Sequence, residues 1–209
     1  MISIVLEAKS KDTPEAHFFN ALVKHYYPSA IVDKDYQVIY ANGKDNLPNL
    51  VPLLQSNTEA GILNVLVFDA DFPESGGGCA IRRKELLDRQ SELDVSFGLF
   101  LYPNNQDDGD VETLMEEIAC KDRHRRFFCC FNKYEECISQ EKDDQGKQKY
   151  LTPNRKGKLH TYINSMRLTN KQKRNLGRGD WLFEDSEYWN MESDVVQPLI
   201  SFLNDYLPK

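Results

Sequence analysis

Short apolar runs alternate along the chain with amphipathic stretches. Residues 2–6, 62–68 and 95–101 are almost continuously apolar, as expected for strands of a sheet that is covered on both faces. Between them lie segments with apolar residues at helical spacing. One of these opens at Thr13 with Thr-Pro-Glu, a typical helix start. The alternation predicts an α/β fold with a central, mostly parallel sheet flanked by helices.

The rest of the pattern predicts further elements and the domain organisation. Short strands are predicted at 30–32 and 37–41, and helices at 47–55, 80–89, 110–119, 126–138, 159–166 and 195–206. For 126–138, a mixture of strand and helix stays open. Residues 1–140 are predicted to form the α/β domain. Residues 141–209 are predicted to form a basic loop and C-terminal helices that pack on the same domain as an appendage.

The composition indicates a globular chain and argues against a membrane protein. Hydrophobic residues make up 40% of the 209 residues, enough for a core, and no run approaches the roughly 20 apolar residues that span a bilayer. The N-terminal strand lacks the basic region of a signal peptide. The five cysteines include no CxxC pair, so we expect them to be reduced. A cytoplasmic protein without a membrane partner is therefore predicted.

Charge is strongly segregated along the chain. Residues 145–179 contain no acidic residue but ten of the 26 basic ones, so the rest of the chain has 16 basic against 33 acidic residues. Clustered Lys and Arg are what proteins use to bind phosphate backbones, so nucleic acid is a predicted partner. The alternative is that this segment packs against the acidic body of the same protein. The ten are Lys147, Lys149, Arg155, Lys156, Lys158, Arg167, Lys171, Lys173, Arg174 and Arg178.

Carboxylates follow two of the predicted strands. Glu7 comes directly after the first strand, and Asp69 and Asp71 come after the strongest one. Side chains at the carboxyl ends of parallel strands meet in one crevice, and residues two apart in an extended segment point the same way. Converging carboxylates repel unless a cation neutralises them, and hard oxygen ligands select Mg²⁺ or Mn²⁺. The alternative is a pair of loop aspartates with a helix-capping role.

Three other features are open to more than one interpretation. The glycine run 76–78 precedes a basic helix and would either present helix N-terminal amides to a phosphate or form a flexible turn. Trp181, Tyr188 and Trp189 would either stack on bases or pack in the core. His160 lies four residues after Lys156 and would either assist proton transfer or be structural.

The order strand–Glu, helix, strand–DxD resembles the TOPRIM fold of topoisomerases, primases and OLD-type nucleases. In this chain it is written SIVLEAKSKDTPEAHFFNAL and LNVLVFDADF. The chain is most similar in pattern to small stand-alone bacterial TOPRIM-like proteins of a domain-of-unknown-function family. That similarity extends through FLYPNNQDDGDVETLMEEI, RKGKLHTYINSM and the terminal YW and PLISFL, from residue 2 to about residue 204.

The resemblance implies a TOPRIM/Rossmann-like sheet and assigns roles to residues. It implies a metal set of Glu7, Asp69, Asp71 and Glu112, with Lys156 as the lysine before the late helix. Ala8 stands where the family has Gly after the first Glu, and Lys156-Gly157 replaces a usual Lys-Ala. The choice between Lys156 and Lys158 is therefore left open.

The resemblance also implies a reaction and partners. It implies a phosphodiesterase dependent on one or two Mg²⁺ or Mn²⁺ ions, that is, a nuclease with catalytic residues Glu7, Asp69, Asp71 and Lys156 that acts in phage defence or DNA maintenance. The alternative is a non-catalytic scaffold subunit that binds a partner ATPase or nucleic acid. A homo-oligomer stays open.

Overall fold

The centre of the molecule is a four-stranded sheet in which every neighbouring pair of strands is parallel. A computed structural model describes residues 1–208. The strands run in the order β2-β1-β3-β4. Their bounds are β1 Ile2–Leu6, β2 Tyr36–Tyr40, β3 Leu63–Asp69 and β4 Gly98–Tyr102. The predicted α/β class and parallel sheet are confirmed.

Eight α-helices surround the sheet within the described residues. They are α1 Pro14–Tyr26, α2 Leu47–Glu59, α3 Cys79–Glu92, α4 Val111–Ile118, α5 Arg125–Ser139, α6 Arg155–Asn164, α7 Asn170–Leu176 and α8 Gln197–Leu203. Thr13 caps α1 and accepts from the Ala16 N–H, as its sequence predicts. None of the described helices is both long and apolar enough to cross a bilayer.

The two faces of the sheet bury separate apolar clusters. Ile4 and Leu6 of β1 point to the face covered by α1, α4, α6 and α8, whereas Val5 points to the face covered by α2 and α3. This alternation follows from the period of two along a strand. The C-terminal helices contribute Leu159, Leu199 and other buried side chains to the first cluster. Residues after 140 therefore share a core with the sheet.

Some predicted elements differ from the observed ones. Residues 30–32 form no strand, and only a single bridge joins Val32 to Tyr36. The short helix α7 was not predicted, because its segment is polar except for Leu176. The helix predicted at 195–206 is shorter, since a 3₁₀ turn, Asp194–Val196, precedes α8. Residues 126–138 belong to a single helix, α5.

Candidate functional site

The ends of β1 and β3 form the crevice in which α/β proteins bind ligands. β1 and β3 are neighbours, but the helix after β1 covers one face of the sheet and the helix after β3 covers the other. The two connections diverge at this point, which opens a space at the carboxyl edge. Glu7 directly follows β1 and Asp69 ends β3, so the fold brings both residues to this opening as predicted.

Glu7, at the end of β1, accepts hydrogen bonds from backbone amides at or just after the ends of both neighbouring strands, β2 and β3. Its Oε2 accepts from the Asp69 N–H at 3.1 Å, and its Oε1 accepts from the Lys44 N–H at 3.2 Å in the loop after β2. Burial raises the pKa of Glu7, the two backbone amides oppose that rise, and the charge of Asp71 adds to it. Each oxygen still has a lone pair available, so the carboxylate can contact a cation as well.

Asp69 faces α4. Its Oδ1 accepts from the Val111 N–H at 2.8 Å, at the first residue of that helix. Burial raises the pKa of Asp69 well above its usual value, and the nearby charges of Glu15, Glu7 and Glu112 raise it further. Asp69 is therefore a buried carboxyl group with three other carboxyl groups near enough to affect it.

Glu15 is a further member of this cluster that the sequence analysis did not single out. It lies in the first turn of α1 and is only 8% exposed. Burial, with the charges of Glu7 and Glu112, raises its pKa to about 8. A signal was present in the sequence: Glu15, Phe18, Phe19 and Leu22 follow the i, i+3, i+4, i+7 spacing of a buried helix stripe.

Two buried polar atoms at the cluster have no hydrogen-bond partner. One is Oε1 of Glu15 and the other is the hydroxyl of Tyr102. Tyr102 is fully buried and pairs in register with Asp69, so the two side chains share the sheet face that α1 covers. Buried polar atoms without protein partners are rare. These two oxygens are therefore available to a ligand of the cluster.

One lysine reaches the cluster and another does not. Lys156 Nζ lies 2.8 Å from Glu112 Oε1, and the charges of Glu112, Asp69 and Glu15 raise its pKa against the effect of burial. Lys158 Nζ instead lies 3.0 Å from Glu116. Of the two lysines that the sequence left open, the geometry places Lys156 at the carboxylates.

The Asp71 side chain contacts helix α3. Its backbone adopts a positive φ of 61°, and its Oδ2 is paired with Arg82 of α3. The charge of Asp71 still reaches Glu7 and raises its pKa. The extended geometry that would aim Asp69 and Asp71 the same way is thus interrupted at Asp71.

The donor set suits a hard divalent cation. Glu7, Glu15, Asp69 and Glu112 supply carboxylate oxygens, the ligands that Mg²⁺ and Mn²⁺ prefer. The buried Oε1 of Glu15 has no hydrogen-bond partner and is available to a cation, whose charge would also oppose the rise in the pKa of Asp69. In residues 1–208, however, no three acidic, His or Cys side chains already form a metal-binding group. Side-chain rotation would have to bring the oxygens together.

Apart from Lys156, the basic segment divides into two parts. Arg155 contacts Asp110 at 3.2 Å and Glu116 at 2.9 Å, and Lys158 also contacts Glu116. These cations pack against acidic residues of α4, which is the alternative stated above for the whole segment. The other part is exposed and consists of Lys147, Lys149, Arg167, Lys171, Lys173, Arg174 and Arg178.

The remaining candidates have other contacts in this fold. The N-terminus of α3, after the glycine run, is already capped, because Asp108 Oδ1 accepts from the Cys79 N–H at 2.7 Å. Trp181 and Trp189 are 3% and 1% exposed and belong to the core. His160 is exposed and lies against Trp181.

Comparison with known proteins adds one relationship. A family model described as "Protein of unknown function (DUF3226)" matches residues 13–208. No curated protein and no solved structure matches the chain.

Proposed function

We propose that this chain, which belongs to the DUF3226 family, is a phosphodiesterase of the nuclease type that depends on Mg²⁺ or Mn²⁺. The observation that carries the proposal is the cluster of Glu7, Glu15, Asp69 and Glu112 at the β1–β3 crevice. Among the described residues these four carboxyl groups have one ion pair, Glu112 with Lys156, and the buried Oε1 of Glu15 has no hydrogen-bond partner. Burial and the neighbouring carboxylates raise the pKa values of Glu15 and Asp69.

The proposed ion-holding residues are Asp69, Glu7 and Glu112, with Glu15 beside them. A bound divalent cation supplies Lewis acidity and lowers the pKa of a coordinated water, the chemistry that phosphodiester hydrolysis needs at neutral pH. Among the chain's own groups, Glu7 keeps the strand ends together through its two backbone contacts. Asp69 is held in place by the Val111 N–H.

Lys156 supplies the positive charge in this proposal. Its ammonium group contacts Glu112 and is about half exposed on its side chain, so it borders both the cluster and solvent. A fixed cation beside a phosphodiester stabilises the charge that develops during cleavage. The exposed cations of the basic segment, among them Lys171, Lys173 and Arg174, provide sequence-independent phosphate contacts.

The proposal is tested with purified protein, labelled single- and double-stranded DNA and RNA, and Mg²⁺ or Mn²⁺. We expect cleavage that needs the ion and that Asp69→Asn abolishes, whereas Asp122→Asn, at an exposed loop aspartate, leaves it intact. Lys156→Met should lower the cleavage rate at least about 100-fold, and Lys158→Met should leave it close to wild type. If the wild type cuts none of these substrates with either ion, the proposal fails.

One observation favours a second candidate, a non-catalytic scaffold subunit that docks on a partner ATPase or on nucleic acid. Each of the four carboxylates first assigned to metal already has a partner: Glu7 and Asp69 contact backbone amides, Asp71 contacts Arg82, and Glu112 contacts Lys156. Calorimetric titration with Mn²⁺ separates the candidates. Heat of binding that disappears in Asp69→Asn supports the enzyme, and no binding to the wild type supports the scaffold.

A further inference from the structure

Asp71 differs from the other carboxylates at the crevice because the protein supplies a cation for it. Its Oδ2 accepts from Arg82 Nη2, and Arg82 is 3% exposed. The other terminal nitrogen of the guanidinium, Nη1, donates to Glu85 Oε2. The Arg82 guanidinium is thus held by two carboxylates, and a movement away from Asp71 would strain its contact with Glu85 as well. Its Nε is buried and has no partner.

The backbone around Asp71 holds the residue in this position. The Asp71 carbonyl accepts from the Gly109 N–H at 2.9 Å. Gly77 approaches so closely that a Cβ added there would lie 2.3 Å from the Asp71 Cβ. With the main chain held from two sides, only the side-chain torsions of Asp71 remain to move its carboxylate. The contact with Arg82 is therefore part of the built structure of the loop.

The surroundings of Arg82 are electrically balanced. Glu85 also contacts Lys44 at 3.2 Å and Arg89 at 3.1 Å, and both of these cations contact the exposed Asp45. Three cations thus meet three carboxylates, Asp71 included. A second divalent ion would find no unmet negative charge here and would be repelled by the buried guanidinium.

The neighbouring cluster has the opposite balance. Within residues 1–208, Glu7, Glu15, Asp69 and Glu112 have one ion pair among them, that of Glu112 with Lys156. Two of its polar atoms, Oε1 of Glu15 and the hydroxyl of Tyr102, are buried without partners. The carboxylate of Asp71 is therefore neutralised by Arg82, whereas the four carboxyl groups of the neighbouring cluster have one ion pair among them.

We propose that the crevice takes a single divalent cation at the Asp69 side, and that Arg82 occupies the place beside Asp71 where a second ion would otherwise bind. This rests on the proposed function, which supplies the first ion. Asp71 is then a positioning residue that anchors the loop to α3 and contributes no oxygen to the metal.

The test counts Mn²⁺ ions bound by chelator-treated protein in isothermal titration calorimetry. The wild type should bind one ion per chain. Asp71→Asn should still bind one, with a Kd changed by less than about tenfold, and Asp69→Asn should weaken binding by more than about 100-fold. Arg82→Gln should gain a second ion, which the double variant with Asp71→Asn should lose again. Arg82→Lys keeps the charge and should keep the count at one.

Arg83→Gln is the matched control, because this neighbouring arginine contacts Asn105 and not the carboxylates; it should bind one ion. Two Mn²⁺ ions in the wild type, one of them lost in Asp71→Asn, would overturn the inference and leave the proposed function standing. Loss of the only ion in Asp71→Asn would overturn it too. No ion in the wild type would overturn the proposed function, and the inference with it. If Arg82→Gln does not fold by circular dichroism, the five proteins without that substitution still decide between these outcomes: the wild type, Asp71→Asn, Asp69→Asn, Arg82→Lys and Arg83→Gln.

Discussion

Replacing Glu15 by Gln tests whether the carboxylate cluster is as uncompensated as its geometry indicates. Glu15 is 8% exposed, and its Oε1 has no hydrogen-bond partner. The substitution keeps the shape of the side chain and removes its ability to ionise. Because burial and the neighbouring charges of Glu7 and Glu112 raise the pKa of Glu15 to about 8 from an ordinary value of 4.5, the variant should become more stable than the wild type as pH rises.

The sign and size of the effect follow from proton linkage. Between pH 4.5 and 8 the folded chain keeps the Glu15 proton and the unfolded chain loses it, so the free energy of unfolding of the wild type falls as pH rises. The gap of about 3.5 pH units, at about 1.36 kcal/mol per unit, gives about 5 kcal/mol as the upper end of the loss above pH 8. At pH 7 the corresponding figure is about 3 kcal/mol. Glu15→Gln does not incur this loss.

Urea unfolding at several pH values between 5 and 9, in the presence of a chelator, measures the difference between the two proteins. We expect the curves to agree within about 1 kcal/mol at pH 5 and to separate progressively toward pH 9. Glu117→Gln, at an exposed position of the neighbouring helix α4, should follow the wild type at every pH. A difference between Glu15→Gln and wild type that stays constant from pH 5 to 9 would refute the reasoning.

Three further predictions follow from contacts outside the cluster. Replacing Lys171, Lys173 and Arg174 together by Gln should weaken DNA binding. It should also make the slope of log K against log salt concentration shallower by about 0.9 per lost phosphate contact, which fluorescence anisotropy at several salt concentrations measures. Arg155→Gln should change neither, because Asp110 and Glu116 hold that side chain. Asp108→Ala removes the contact to the N-terminus of α3 and should cost about 1 kcal/mol in urea unfolding, unlike Asp144→Ala at an exposed loop position. Trp189→Phe loses the 2.8 Å hydrogen bond to the Trp181 carbonyl and should cost about 2 kcal/mol in urea unfolding. A free energy of unfolding equal to that of the wild type would contradict the assigned core role.

The sheet was predictable because its strands are buried on both faces. A strand covered on both sides must be apolar at nearly every position, and β1 and β3 are. The segment at 30–32 is just as apolar locally, yet it pairs only through one bridge. Nothing in the local sequence distinguishes a short apolar strand from a short apolar loop. Whether such a segment becomes a strand depends on whether its backbone can pair with the sheet.

The membership of the candidate site was only partly predictable. Glu7 and Asp69 stand at strand ends, and strand ends of a parallel sheet converge in any such fold. Glu15 and Tyr102 belong to a helix and to another strand, and they reach the same cluster only because α1 and β4 share the apolar core on that face of the sheet. The pairing of Asp71 with Arg82, eleven residues further along the chain, follows from no spacing rule.

The sequence by itself determined the α/β class, the parallel sheet and the placing of Glu7 and Asp69 at its carboxyl edge, because each of these follows from local periodicity and from the residues that end a strand. Only the tertiary structure decided which charges meet. In the folded chain Lys156, and not Lys158, pairs with a carboxylate of the cluster. Arg155 and Lys158 pair with Glu116 of α4, and Asp71 pairs with Arg82. Ion pairs join side chains from distant segments, and their partners are set by how the helices pack, which the pattern of any single segment does not contain.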